Sequence, residues 1–237
     1  AVVDAGSATF SGQVSGDDVS LNSGTLSASF ADKNVGTAKA ISVSGFSLSG
    51  MDATNYALDT GSFAGTNANI TQRSLAITAD AKTKTYGAAD PTFTYTYGTL
   101  ATGDTSSIFS GALNRSAGNN VGTYSIGLGS FSAGGNYNVS YTGANLTNNP
   151  AQLTITADNA TRMQGTTNPI FTASYSGFQH TDNTSVLSGL NIITDAVINS
   201  GAGVYTITPS GATAANYTIS YVNGALTVTP IIIPNTV

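Results

Sequence analysis

The sequence predicts a mainly β protein built from three small tandem modules, each with at most one short helix. Three observations predict it. Asn-Tyr pairs recur at Asn55-Tyr56, Asn136-Tyr137 and Asn216-Tyr217, about eighty residues apart, and a fixed spacing marks a repeat array. Short runs alternate polar and apolar residues, as in Leu26, Ala28, Phe30 and in Tyr124, Ile126, Leu128. That is the period of two that puts alternate side chains on one face of a strand. Ser, Thr, Asn and Gly supply the polar surface, and as a group they favour turns and strands over helices.

Composition narrows the function classes. Charged residues are 8% of the chain, the net charge is −5, and every acid is Asp. No Lys/Arg patch is present to neutralise phosphates, so nucleic acid is not an expected partner. No run approaches the roughly 18 apolar residues of a membrane span, so this segment is not expected to insert. Cysteine is absent, which removes disulfides, thiolate zinc sites and cysteine nucleophiles. The N-terminus lacks the basic and apolar regions of a signal peptide, and the chain reads as part of something longer.

The first module spans residues 1–72. Ala8 to Val14, Gly24 to Phe30, Ile41 to Val43 and Phe46 to Leu48 read as strands. Asp17-Asp18 can open one helical turn, Gly50 to Ala53 is a turn, and Ala68 to Thr71 closes the unit. The second module spans 73–152. It opens on Leu75 to Asp80, turns at Tyr86-Gly87, and continues through a strand over Thr92 to Tyr97. Alternation breaks between Gly103 and Leu113, where a short helix is expected with Asp104 as N-cap and Ile108 and Phe109 as anchors. A hairpin should follow: Tyr124, Ile126 and Leu128 on one strand, Gly134-Gly135 as turn, and Tyr137, Val139 and Tyr141 facing them.

The third module, 153–230, repeats these elements. Asn168-Pro169 stands where Asp90-Pro91 stood, His180 to Leu190 replaces the short helix with Asp182 as cap, and Tyr205, Ile207 face Tyr217, Ile219, Tyr221. Gln164-Gly165 replaces Tyr86-Gly87. The run Gln152 to Thr156 both closes module two and opens module three, whereas the first junction has separate runs. The second junction should therefore be the stiffer. Residues 231–237 lead into a following module or linker. Few charges guard the strand edges, so Gly, Pro and Asn turns must limit edge pairing.

These residues carry a family resemblance. Phe30 to Tyr56, with Asp32-Lys33-Asn34-Val35-Gly36-Thr37 and Ser49-Gly50-Met51-Asp52-Ala53-Thr54-Asn55-Tyr56, resembles the YDG-type repeat. The Tyr-Asp-Gly start is missing, so module one has a truncated or divergent beginning. Leu75 to Gly98 and Leu153 to Gly177 resemble the MBG repeats, in which a Tyr-Gly turn precedes an Asn/Asp-Pro strand start. Such repeats occur in large bacterial surface or secreted adhesins, including filamentous-haemagglutinin-like exoproteins exported by two-partner secretion. The resemblance implies β-grasp-like modules in an elongated array and no catalytic residue. An immunoglobulin-like sandwich remains the alternative topology.

Candidate chemistry is sparse. His180 is the only histidine, which excludes a multi-histidine metal site, and no GxSxG elbow accompanies it. Asp17, Asp18 and Asp52 are the acids nearest to a calcium cluster, but no DxDxDG loop is present. Asp80, Asp90 and Asp158 sit beside turns that need such residues anyway. Tyrosines alternating with aliphatics read as core, with one or two as a sugar-stacking alternative. Asn-x-Ser/Thr occurs at Asn69, Asn114, Asn138, Asn145, Asn159, Asn183 and Asn216, about the number expected by chance in such a chain.

The expected function is that of a stalk or spacer segment of a cell-surface or secreted, outer-membrane-associated adhesin. It would project a binding region and support adhesion, aggregation or biofilm formation. The alternative is a module that binds extracellular polysaccharide or host glycan. No catalytic, cofactor or metal site is expected, the chain is expected to be no enzyme and a monomer, and its expected partners are neighbouring modules of the same polypeptide.

Overall fold

Alternation becomes strands through most of the chain. A computed structural model describes residues 11–22, 26–59 and 67–234. Contacts divide the chain into two parts. One comprises Ala1–Leu75, Gly98–Ser110 and Ser132–Ser140; the other comprises Ala76–Tyr97, Gly111–Phe131 and Tyr141–Val237.

In the first part, Gly36–Ser44 is the central strand between Ser27–Phe30 and Asn67–Ile70, antiparallel to both. Its register shifts between Gly36 and Lys39. Ala38 sits at that shift with φ 50°, and its N–H donates to Asn69 Oδ1 at 2.8 Å. The amide acceptor anchors a backbone conformation that L residues seldom adopt. Ser20–Asn22 pairs antiparallel with Ser47–Ser49, setting Leu21 opposite Leu48. The helical turn expected at Asp17-Asp18 does not form. Asp17 N–H instead closes a turn onto the Val14 carbonyl at 3.2 Å, and the strand starts three residues later. The run beginning at Ala8 lies partly outside the described residues, as do Gly24 and the last three residues of the chain.

The second part holds one sheet twice. In module three, Ala160–Met163, Gly224–Thr229, Gly203–Ser210 and Asn191–Thr194 lie in that order. The first pair is parallel and the others antiparallel. In module two, Lys82–Thr85, Ala144–Asn149, Gly122–Gly127 and Asn114–Arg115 repeat both order and senses. A further sheet places Ala151–Ala157 between antiparallel Ala173–Ser176 and parallel Tyr217–Val222. Ala151, Leu153, Ile155 and Ala157 are all buried, Leu153 and Ile155 completely. Complete burial of such a side chain stabilises by about 1.5–3 kcal/mol. Leu153 packs with Tyr86, Ala151 and Tyr217, while Ala157 packs with Ile207, Leu226 and Val228. One strand thus serves two cores.

Three further expectations are corrected. The hairpin across Gly134-Gly135 is absent: Gly122–Gly127 pairs with Ala144–Asn149, with Tyr124 opposite Leu146. Likewise Gly203–Ser210 pairs with Gly224–Thr229, and Tyr217–Val222 joins Ala151–Ala157. The strand that follows in sequence leaves for another sheet, and the next one returns. Second, Ala144–Asn149 closes module two, and Ala151–Ala157 opens module three after Pro150. No strand is shared, so the argument for a stiffer second junction loses its basis. Third, the short helices shrink to 3-10 turns at Ser106–Ile108 and Thr184–Val186. Their caps are Thr105 and Asn183, whose side chains accept from Ser107 N–H and Ser185 N–H. Asp104 and Asp182, one residue earlier, are engaged elsewhere.

Candidate functional site

The side chains with the most specific geometry are those of the Asn-Tyr pairs. Each tyrosine belongs to one device. A backbone N–H donates to the phenol oxygen, and the phenol donates to an aspartate three residues further along. In module two, Ala101 N–H reaches Tyr137 Oη at 2.8 Å and Tyr137 donates to Asp104 Oδ2 at 2.6 Å. In module three, Gln179 N–H reaches Tyr217 Oη at 2.9 Å and Tyr217 donates to Asp182 Oδ2 at 2.6 Å. In module one, Val14 N–H reaches Tyr56 Oη at 2.9 Å and Tyr56 donates to Asp17 Oδ2 at 2.7 Å. A turn closed from aspartate N–H to the carbonyl three residues back holds both partners in each copy. A charged acceptor makes the phenol bond one of the stronger kinds.

The asparagine before the tyrosine looks to the preceding module. Val35 N–H donates to Asn136 Oδ1 at 2.9 Å, and Asn136 Nδ2 donates to Asn34 Oδ1 at 3.0 Å. The second copy matches it. Val121 N–H donates to Asn216 Oδ1 at 2.9 Å, and Asn216 Nδ2 donates to Asn120 Oδ1 at 3.1 Å. One primary amide therefore reads an Asn-Val dipeptide, using its acceptor on the backbone and its donor on the side chain. The loop that it reads is itself fixed. Buried Asn148 donates through Nδ2 to the Asn119 and Asn120 carbonyls at 2.7 and 3.0 Å, and Tyr124 donates to the Asn120 carbonyl at 2.7 Å.

Around the second copy the contacts become aromatic. Tyr86 is buried, meets Tyr217 edge-on at 5.5 Å between ring centroids, and donates to the same Asp182 carboxylate at 3.1 Å. Gly87, at φ 90°, lies so close that a Cβ would stand 2.5 Å from Gln179 Oε1. Burial first, and then the bond to Asp182, push the Tyr217 phenol up to about 12. Burial raises Tyr86 as well. Around the first copy the additional partner is ionic: Lys33 pairs with Asp104. The Lys33 hydrogen bond, followed by that of Tyr137, holds the Asp104 carboxyl below its ordinary range.

Of the sequence candidates His180 lies at a joint, and the acids are engaged in local turns and pairs. His180, at φ 53°, meets Tyr86 edge-on at 5.7 Å. Asp18 and Asp52 cap one another's loops, with Asp18 N–H on Asp52 Oδ2 at 2.9 Å and Asp52 N–H on the Asp18 carbonyl at 3.1 Å. Asp80 and Asp158 accept from Thr94 and Thr172. Asp90 takes Lys84 at 2.7 Å and Arg115 at 2.6 Å, and these cations hold its carboxyl below the ordinary value. Of the seven Asn-x-Ser/Thr asparagines, Asn69, Asn159, Asn183 and Asn216 accept backbone N–H bonds. Among the described residues, no three His or Asp side chains cluster as metal ligands, and no helix is long and apolar enough to cross a membrane. An open cleft of about 500 Å³ is lined by Phe171, Tyr175 and aliphatic side chains. It carries two hydroxyls, on Tyr175 and Thr172, and the Thr172 hydroxyl donates to Asp158 at 2.7 Å.

In the sequence the Asn-Tyr pairs stand out as register signs, and nothing local to them shows the bonds they make. The sequence alone does not assign Asn34, Val35, Asn120, Val121, Asp104, Asp182 or Tyr86 to a joint. The usable signal was the twofold Asn-Val-Gly-Thr at Asn34 and Asn120, the other half of each contact.

Fold and joint together define a tandem β-repeat protein whose modules are registered by a side-chain clamp. The MBG domain (YGX type) family model matches residues 75–147 and 153–227, and the YDG domain model matches residues 1–63. The chain belongs to the MBG domain family of the YGX type, with a YDG-type module ahead of the two. Comparison with the curated proteins found no match. Tyr86-Gly87-Ala88 is the sequence that the type is named for, and here its ring and its glycine are packed in the second joint.

Proposed function

We propose that this chain is a spacer segment of a bacterial cell-surface or secreted, outer-membrane-associated adhesin of the two-partner secretion kind. It projects a binding region and so supports adhesion, aggregation or biofilm formation. It works as a monomer and not as an enzyme, with neighbouring modules of its own polypeptide as partners. The observation that carries this reading is where its specific polar groups point. Asn136 and Asn216 bond to the preceding module, and Asp104 and Asp182, each held by the tyrosine of its own module, take Lys33 and Tyr86 from the module before. A protein that spends its best-organised side chains on its own joints is organised for linkage. Family membership supports the repeat character.

The carbohydrate-binding alternative would use the cleft at Phe171 and Tyr175. Sugar recognition combines an aromatic face with converging polar groups; here the Phe171 and Tyr175 rings are accompanied by the Tyr175 and Thr172 hydroxyls, with no amide or charged side chain in the lining. The test is a titration of isotope-labelled chain with soluble extracellular polysaccharides and host-type oligosaccharides, followed by amide shifts. The spacer reading expects no saturable change at any concentration up to about 10 mM sugar, weaker than the millimolar end of specific binding. Saturable shifts at Phe171 and Tyr175 would replace it with the binding-module reading.

A further inference from the structure

Module one carries the same receptor in a different setting. Tyr56, Asp17 and the Val14 N–H reproduce the tyrosine–aspartate–backbone device bond for bond. The bond to Asp17 raises the Tyr56 phenol above its ordinary value. Asn55 precedes Tyr56 as Asn136 precedes Tyr137. The surroundings differ. Tyr137 and Tyr217 are 5% and 8% exposed and their asparagines are half-buried. Tyr56 is only half-buried and Asn55 is exposed.

We infer that Asn55 and Tyr56, backed by Asp17, form a docking site for the Asn-Val-Gly loop of another module of this kind. The chemistry names the occupant. In both filled copies the amide oxygen takes a valine N–H and the amide nitrogen takes an asparagine oxygen. The occupant must therefore offer those two groups in sequence. This chain holds three loops in the corresponding position. Asn34-Val35-Gly36 and Asn120-Val121-Gly122 are engaged by Asn136 and Asn216. The third, Gly201-Ala202-Gly203, is exposed and has no side-chain amide to present. Beside it, Gln164 replaces the Tyr86 ring, and a Cβ on Gly165 would meet nothing within 4 Å. A second copy of this chain thus has a receptor at Asn55 and no matching loop to fill it.

That mismatch supplies the test. The substitutions Gln164→Tyr, Gly201→Asn and Ala202→Val rebuild the module-two loop end on module three of the full chain. Unlabelled triple variant is titrated into isotope-labelled wild-type chain. Saturable shifts of the Asn55 side-chain amide and Tyr56 N–H are expected, with a dissociation constant near 1 mM, since two hydrogen bonds and one ring contact make a weak contact. Unlabelled wild-type chain should move neither signal. A labelled Asn55→Ala chain should lose the Tyr56 response at least tenfold. The variant's own spectrum must first show module three folded; if it is not, Gly201→Asn alone is used in the same titration. Unmoved Asn55 signals with a folded variant overturn the inference. So does an Asn55→Ala chain that responds as strongly as wild type. The inference rests on reading the modules as array units, and the sugar titration decides that reading separately. Silence at Asn55 leaves the spacer standing, and sugar shifts at Phe171 leave the docking site standing.

Discussion

The two filled joints share a hydrogen-bond frame and differ in what surrounds it. At Asn136 the frame is flanked by the Lys33–Asp104 ion pair, whose lysine is exposed and whose carboxylate is covered; at Asn216 it is flanked by the buried Tyr86 ring. The frame sets register, because an amide can satisfy both bonds in only one alignment. The flanking groups set how firmly that register is held and which conditions loosen it. An ion pair with one partner in solvent is weakened by salt, whereas buried aromatic edges are not. The difference teaches that one recognition pattern can be given two sensitivities by changing a neighbour.

The comparison can be broken most strongly at Tyr86. Tyr86→Ala removes a buried ring and an Asp182 donor, and should destabilise module three by about 3 kcal/mol. Residue-resolved hydrogen exchange in denaturant checks this, with the loss expected at Gln179 and Val121 N–H and not at Val35. Next comes Gly87→Ala set against Gly165→Ala. Both place a Cβ at positive φ, but only Gly87 faces Gln179. Its cost should exceed that of Gly165 by about 1–3 kcal/mol, the overpacking term, measured by chemical denaturation. Equal costs would mean that Gly87 makes no packed contact.

A third prediction separates the joints by pH. Tyrosine titrates near 10 when unfolded and Tyr217 at about 12 when folded. Its contribution is complete below about pH 10 and is lost as pH rises through that folded value. Asp104 is shifted the other way. Its contribution is complete above the ordinary aspartate value of about 4 and is lost as pH falls. Lys33, raised by its bond to Asp104, adds an alkaline loss of its own at the first joint. Val35 N–H should therefore lose protection on acidification below about pH 4, while the Tyr217 ring-carbon shift should titrate at about 12. The smallest effect belongs to Lys33→Ala. It should slightly raise Val35 exchange in low salt and leave it unchanged near 1 M salt, where charges are screened within about 3 Å.

Much of this was legible in the sequence, and the boundary of legibility is instructive. Alternation marks Gln152 to Thr156 and Tyr217 to Tyr221 as strands, which form as Ala151–Ala157 and Tyr217–Val222, because a period of two is a local property. It did not give their pairing. A Gly-Gly turn between two alternating runs reads as a hairpin, yet Gly122–Gly127 finds its partner beyond the next strand. The caps were read one residue early at Asp104 and Asp182. Aspartate and threonine are both acceptors suited to a cap, and a phenol 33 residues away claims the carboxylate. The joints were the least legible. Asn34 and Asn136 lie 102 positions apart, and nothing near either one announces the other.

One consequence of the joint concerns how such a chain grows. Each half of the contact lies on a different part of the same module: the Asn-Val-Gly loop is the key, the Asn-Tyr pair the lock. A tandem duplication that copies one module copies both. The new neighbours match at birth, with no compensating substitution needed on either side. Contacts of this heterologous kind leave one free half at each end unless the rotation closes a ring, so the contact itself does not fix the number of modules. A module without that key, such as the one with Gly201-Ala202 in its place, would join a following neighbour by other contacts.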